Sequence, residues 1–310
     1  MVGRGDKTGT EGVMVTTLGT GAALPSRYRN VSSTLIWLPP NDSNLPDGGA
    51  ILLDAGEGTY GQLYRRFNNA EDLKLEDVLL NLTFIFVSHM HADHHIGIIR
   101  LLLQRKELCE KLGIQPKPLC IVGPPHYYTW LHEYADVEDL GLGGGTGIEF
   151  VQCQSIVAGT RGLANIVLDR YVKLRIEFEY LNFVTTHMFG FSSLKTRLGL
   201  TSIETLSVEH SSYAYALSLK HSSGWKIVYS GDCRPSVPLI QLGSDADLLI
   251  HEATFENDLH KEAVDKKHST TSEAMKVGGR MRAKWVLLTH FSQRYPKIPR
   301  VEGGGLPDDV

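Results

Sequence analysis

The run Val87–Gly97, "VSHMHADHHIG", packs four histidines and one aspartate into seven positions. It lies directly behind the continuous apolar segment "LTFIFVSH", which reads as a strand buried on both faces. The segment after it, "IGIIRLLLQRKELCEKLG", has one apolar side, carries its charge late and stops at Gly113, the pattern of a helix. Strand, polar loop and helix in that order predict a layered α/β fold. The chemistry-bearing side chains then sit at a strand end, where functional loops gather.

The second half repeats this logic. The segments "TSIETLSVEH", "SYAYALSLKH", "WKIVYSGD", "ADLLIHEA" and "AKWVLLTHFSQRY" each read as a strand, and "STTSEAMKVGGRM" reads as a helix. Counting the first cluster, five strands end at a reactive residue: His89, His210, Asp232, His251 or Glu252, and His290. Near the start, "GVMVTTLG", "SSTLIWL" and "AILLDAGEG" suggest an edge meander, and "TYGQLYRRFN" suggests a helix. "PLCIVGPP" reads as another buried strand, and "HYYTWLHEYADVEDLGL" as a helix stopping before "GLGGG". The stretch 148–206 is less regular, with strand-like content in "IVLDRYVKLRIEFEYLNFVT". Each half can thus supply a sheet with outer helices. We expect a flexible leader or linker over 1–12, one catalytic domain over 13–297 and a tail over 298–310.

Composition narrows the class but not the partner. The 310 residues are 42% hydrophobic and 21% charged, as in a soluble globular protein with a substantial core. The most apolar windows are short and interrupted by charge, so no membrane association is expected. "MVGRGDKTGTEG" lacks the apolar stretch of a secretory signal. Cys109, Cys120, Cys153 and Cys233 have no CxxC spacing, which points to an intracellular reducing compartment rather than a disulfide scaffold. A net charge of -4 gives no whole-protein attraction for nucleic acid, but binding depends on where positive charge is placed.

In "HMHADHH", His89 and His91 alternate and can project from one side of an extended turn, with Asp93 and His94 at the helix entry. Histidine nitrogens and aspartate oxygens suit zinc, while manganese or iron also fits the ligand types. His210, Asp232 and His290 offer donors for a second ion, with Asp232 able to bridge because a carboxylate has one oxygen for each. Two such ions would acidify a shared water and clamp developing phosphoryl charge. His95 directly precedes the apolar run and is expected to pack or to support a ligand. "GTGAA" lacks the full GxGxxG pattern and its βαβ context, so it is not read as a dinucleotide site.

"HMHADHHIG" resembles the core motif of the metallo-β-lactamase superfamily. With "LGTGAALPSRYRN", "DAGEG", "SGDCRP", "HEATF", "HST" and "LTHFSQRY", the resemblance narrows to the tRNase Z family of tRNA 3′-end endonucleases, over about Val13 to Tyr295. It implies a four-layer αβ/βα sandwich with two Zn2+, or Mn2+ or another divalent metal, at the sheet edge. His89, His91 and His210 would hold one ion, Asp93, His94 and His290 the other, and Asp232 would bridge. Asp93 would also be the general base, while His268 protonates the leaving 3′ oxygen and Glu252 orients His268. His251 would support Glu252 or a ligand. Asp54 would hold the site loop by hydrogen bonds rather than bind metal.

The resemblance also assigns RNA handling. Arg27, Arg29 and Asn30 in "PSRYRN" match a loop that meets the tRNA 3′ region, and Arg234 and Arg294 are placed to neutralise backbone charge. Only 21 residues separate His210 from Asp232, too few for the protruding tRNA-binding arm of the family's short forms. The chain therefore resembles the catalytic C-terminal half of a eukaryotic long form, whose N-terminal half carries the arm. Precursor tRNA and such an N-terminal half are the expected partners, in the nucleus or the mitochondrion. Two other readings compete: a small-molecule metallohydrolase of the glyoxalase type, and an RNA- or partner-binding domain whose metal is structural.

Overall fold

The structure is a computed structural model that describes residues 12–40, 48–142, 147–158 and 194–295. The expected leader up to residue 11, the tail, and most of the irregular 148–206 stretch lie outside these residues. Two mixed sheets form the centre. The first runs, in spatial order, β1 (Met14–Gly19), β2 (Ser33–Leu38), β3 (Gly49–Ala55), β4 (Leu82–Phe86), β5 (Leu119–Gly123) and β6 (Ile148–Gln152). The second is ordered β11 (Trp285–Thr289), β10 (Leu248–Glu252), β9 (Lys226–Tyr229), β8 (Tyr215–His221) and β7 (Leu200–Ser207). Each sheet begins with an antiparallel meander and continues with parallel strands.

The layers follow from the period-2 alternation of side chains. Ile51, Leu53, Phe84 and Phe86 leave one face of the first sheet and pack with Leu217, Leu219, Ile227, Tyr229 and Ile250 of the second. Their neighbours Leu52 and Ile85 leave the opposite face to meet Leu63 and Phe67 of α1 (Thr59–Phe67), Val78 and Leu79 of α2 (Leu75–Leu80), and Leu101 and Leu102 of α4 (Ile98–Leu112). Tyr127 and Leu131 of α5 (Pro125–Ala135) join the same layer. On the far side, Ala216, Val228 and Leu249 pack against Leu239 of α6 (Val237–Leu242) and Val277 and Met281 of α8 (Thr271–Met281). The result is the expected αβ/βα sandwich. β2, β3, β4 and β5 are buried along their whole length because both of their faces are covered.

Most elements lie where the pattern predicts. α4 ends at Gly113 in the left-handed conformation, and α8 starts from a Thr270–Glu273 capping box. α5 stops at Ala135, several residues short of the expected boundary. α2 was not anticipated, since its six residues are too few to show a helical period. The four cysteines are buried and unpaired by disulfides. Among the described residues no helix is long and apolar enough to cross a membrane.

One close approach brings the first sheet to the site. A Cβ built on Gly97 would lie 2.0 Å from the carbonyl oxygen of Gly56, and one on Gly56 would lie 2.1 Å from that of Asp93. The amide of Gly97 donates to Ala55 at 2.9 Å. "DAGEG" and "HHIG" therefore meet backbone to backbone, which only glycine allows.

Candidate metal centre

The parallel strands deliver their C-terminal ends to one edge of the sandwich. The loop after β4 carries His89 and His91 and runs into the short helix α3 (Ala92–His95), which holds Asp93 and His94. The β7–β8 hairpin tip brings His210, the turn after β9 brings Asp232, and His290 follows β11 at a φ of 58°. His89, His91, His210 and Asp232 form one group of converging donor atoms, and Asp93, His94 and His290 form another, each group within 4.8 Å. Asp232 stands between them. Its Oδ2 lies 3.2 Å from His290 Nε2, 3.3 Å from His94 Nε2 and 3.7 Å from the Nε2 atoms of His89 and His210.

Hydrogen bonds on the far side of each ring decide which nitrogen faces inward. Asp54 is wholly buried and accepts the Ser88 amide at 2.7 Å, the Ser88 hydroxyl at 2.8 Å and the Tyr229 hydroxyl at 2.6 Å. Its Oδ2 also takes His94 Nδ1–H at 2.7 Å, which leaves His94 Nε2 as a bare lone pair. Because Ser88 Oγ donates to Asp54, it accepts from His89 Nδ1 at 3.0 Å. His89 Nε2 is then bare, fully buried and without a hydrogen-bond partner. His210 Nδ1 donates to the Lys267 carbonyl at 3.0 Å. His290 Nδ1 donates at 2.8 Å to Thr254 Oγ1, whose own proton goes to Glu252 at 2.6 Å.

Four imidazoles therefore aim unprotonated Nε2 atoms into one space. His94 Nε2 and His290 Nε2 stand 3.2 Å apart, as do His210 Nε2 and His91 Nδ1. Lone pairs facing each other repel unless a cation sits between them. A tetrahedron with zinc–nitrogen bonds of about 2.0–2.1 Å has edges of about 3.3–3.4 Å, close to these separations. The donor set and the orphaned His89 nitrogen fit a divalent metal.

The carboxylates around this space favour positive charge within it, a proton on His94 or a metal ion alike. Burial lowers the proton affinity of His89, and the neighbouring His94 lowers it further, well below the usual histidine value. Burial also opposes charge on His94, but Asp232, Asp54 and Asp93 outweigh it and push that ring well above the ordinary value. Burial opposes ionisation of Asp93 and Asp232 too, yet the surrounding histidines hold both carboxylates well below the usual range. Asp93 Oδ2 is fixed by the amide of Ala23 at 2.7 Å, and Ala23 has a left-handed φ of 65°. That contact gives "GTGAA" a use the sequence did not reveal.

Beside the metal groups stands a second carboxylate–imidazole unit. Glu252, at the end of β10, is wholly buried and accepts from the amides of Cys233 at 2.8 Å, Ser269 at 3.1 Å and Thr254 at 3.2 Å. Its Oε1 lies 2.8 Å from His268 Nδ1, so the Nε2 of His268 faces away from the carboxylate. Burial alone would lower the pKa of His268, but the Glu252 charge and hydrogen bond, with Asp232 behind them, push it up to about 9. His268 Nδ1 is also 3.9 Å from Asp232 Oδ2, which places the ring at the wall of the metal site.

Other expected residues take varied positions. His95 is buried, reaches the Met90 carbonyl at 3.3 Å and packs edge-on against Tyr127 and Trp130, a packing role as expected. His251 Nδ1 contacts the backbone carbonyl of Glu252 at 2.7 Å rather than its carboxylate. Arg27 lies over the exposed ring of Tyr28. Arg29 donates to the Tyr295 carbonyl and lies over Phe291. Asn30 donates to the Glu57 carbonyl at 2.8 Å, fixing its loop. Arg294 pairs with Glu262 at 2.9 Å. Arg234 differs most from its expected phosphate contact: its guanidinium turns inward to Glu273 and the His268 carbonyl, because Glu273 offers a half-buried counter-charge.

Ser88, Thr254 and Tyr229 support the site and were not singled out in the sequence. Ser88 and Thr254 sit inside quoted motifs, so their only signal was adjacency. Tyr229 carried one more, a phenol in an otherwise apolar strand, which needs a buried partner.

Comparison with known proteins agrees with this geometry. Residues 50–291 match the family model described as a β-lactamase superfamily domain. The chain is 42% identical over 282 residues to mouse "Zinc phosphodiesterase ELAC protein 2", covering 91% of this chain and 30% of that protein. It is 35% identical over 320 residues to "tRNase Z TRZ3, mitochondrial" of Arabidopsis thaliana, covering 96% of this chain and 34% of that one. Among solved structures it resembles a long form RNase Z from yeast, with a TM-score of 0.78, 32% identity, and coverage of 97% of this chain and 40% of that chain. The chain thus spans about a third of the length of the curated relatives it matches.

Proposed function

Since this chain belongs to the β-lactamase superfamily, we propose that its metal centre is that of a tRNA 3′ endonuclease, the catalytic half of a long form. It would remove the 3′ trailer of precursor tRNA, leaving a tRNA 3′ hydroxyl and a trailer 5′ phosphate. The observation that carries this reading is the Glu252–His268 pair set against the metal groups, 2.8 Å between Oε1 and Nδ1. Hydrolysis of a small activated substrate needs no separate proton donor. A departing ribose alkoxide at neutral pH does. The likeness to proteins named zinc phosphodiesterase and tRNase Z supports the same choice over a glyoxalase-type hydrolase.

His89, His91 and His210 would hold one Zn2+, Asp93, His94 and His290 a second, and Asp232 would face both. Bound there, the metals supply an acidified water and neutralise phosphoryl charge. Asp93, steadied by the Ala23 amide, orients the attacking water and accepts its proton. The water oxygen forms a new bond to phosphorus as the bond from phosphorus to the tRNA 3′ oxygen breaks. His268 gives the proton on Nε2 to that oxygen, and the Glu252 carboxylate keeps the imidazole charged until then.

The tRNA body needs a separate holder. His210 and Asp232 are joined by β8, the tight turn at 222–225 and β9, so no arm projects between them. We assign that task to the additional length present in the relatives, and the site of action to the nucleus or the mitochondrion. Incubation of end-labelled precursor tRNA with the zinc-loaded chain, alone and with an N-terminal half, tests the reading. A single cut after the discriminator nucleotide is expected. Absence of that cut in both preparations, with metal bound, would refute it.

A further inference from the structure

Arg234 joins three segments that the site needs to keep in register. Its backbone amide donates to the Glu209 carbonyl at 2.9 Å, beside the candidate ligand His210. Its guanidinium donates to both Glu273 oxygens, with the Nη1–Oε2 distance 2.9 Å, and Nη1 also donates to the carbonyl of His268. Glu273 is held in turn by the Thr270 amide at 2.9 Å and lies 3.2 Å from His260 Nε2. The side chains of Arg234 and Glu273 are only 15% and 17% exposed.

The tripeptide Asp232–Cys233–Arg234 therefore places three contacts in a row. Asp232 faces the metal groups, the Cys233 amide holds Glu252, and Arg234 grips the main chain of His268. Ser269 closes the seam by donating to the Cys233 carbonyl at 2.7 Å. His210 grips the adjacent carbonyl of Lys267 from the metal side. A planar guanidinium that meets a carboxylate with two parallel bonds fixes orientation as well as distance, which an ammonium cannot do.

We propose that Arg234 is a positioning residue for departure of the tRNA 3′ oxygen, locking the His268 main chain to the Asp232 turn so that Nε2 faces the scissile bond. This rests on the proposed RNA cleavage. In that step the phosphorus–oxygen bond breaks and the His268 proton passes to the oxygen, so misplacing the donor slows only bond breaking that needs a proton. A substrate with sulfur in place of the bridging 3′ oxygen leaves as a thiolate and does not need one.

The test compares zinc-loaded wild type, Arg234→Lys and Glu273→Gln in single-turnover cleavage of precursor tRNA bearing oxygen or sulfur at that position. An N-terminal half is supplied if cleavage requires it. Metal content and circular dichroism are matched across the three proteins. Both variants should lose about 10- to 100-fold on the oxygen substrate, the scale of a displaced catalytic group, and less than about threefold on the sulfur substrate. An equal loss on both substrates would overturn the inference. So would full activity of Arg234→Lys combined with a smaller salt dependence of RNA binding, which marks a phosphate contact. Wild type that cleaves neither substrate would remove the proposed function and this inference together.

Discussion

Asp54 Oδ2 holds His94 Nδ1 at 2.7 Å, with both side chains completely buried. This single contact presents the opposite nitrogen of His94 to Asp232 at 3.3 Å and fixes the inward edge of the ring. Tyr229 and Ser88 complete the support around Asp54, so the carboxylate organises two imidazoles without being one of the converging donors.

Asp54→Asn should leave the fold in place, because asparagine tolerates the left-handed φ of 55° found there. It removes the charge that favours the His94 tautomer. Zinc affinity measured by chelator competition is expected to fall about 10- to 100-fold. An unchanged affinity would separate Asp54 from metal binding.

The Glu252–His268 pair gives a pH prediction. Burial opposes charge on His268, but the Glu252 charge and hydrogen bond together with Asp232 outweigh it and raise the folded-state pKa to about 9, so the ring stays protonated until the pH rises through that value. Glu252→Gln removes the larger raising influence, leaves only Asp232 and lets burial act. The alkaline limb of the pH–rate profile should then move to lower pH, and the rate at neutral pH should fall on the order of 100-fold. A limb that stays fixed would assign it to another group.

Backbone contact between the two glycine motifs predicts a stability effect. Gly97→Ala places a methyl 2.0 Å from the Gly56 carbonyl oxygen and should destabilise by about 2–4 kcal/mol in denaturant unfolding. Gly279→Ala, in α8 with nothing within 4 Å, is the control and should gain up to about 1 kcal/mol. Equal effects at the two positions would contradict the close approach.

Chelation should lower Tm, and added zinc should restore it in a concentration-dependent way, because an ion bound only by the folded state stabilises by mass action. The facing nitrogens at 3.2 Å make the effect larger here than for a surface site. A Tm indifferent to chelator would argue against the convergence of these lone pairs on a cation.

Much of this was legible because each strand end carries its own label. The apolar runs in "AILLDAGEG" and "LTFIF" marked the buried strands, and "HMHADHH", His210, Asp232 and His290 announced donors one strand at a time. Periodicity could not say that Ala23 would reach Asp93 across 70 positions, since a backbone amide leaves no trace in residue type. Arg234 was misleading for a related reason: an arginine beside a candidate ligand looks free for phosphate until Glu273, 39 positions on, is folded against it. α2 escaped because its identity as a helix comes from packing on α4 rather than from its own six residues.

Asp93 and the groups around it are proposed to cut RNA rather than merely organise metal. The most direct measurement is cleavage of end-labelled precursor tRNA by Asp93→Ala, with RNA binding and zinc content followed on the same samples. An N-terminal half is supplied if wild type requires it. The account predicts that cleavage falls by at least about 100-fold while RNA binding persists. Cleavage at the wild-type rate by the zinc-loaded variant would contradict it.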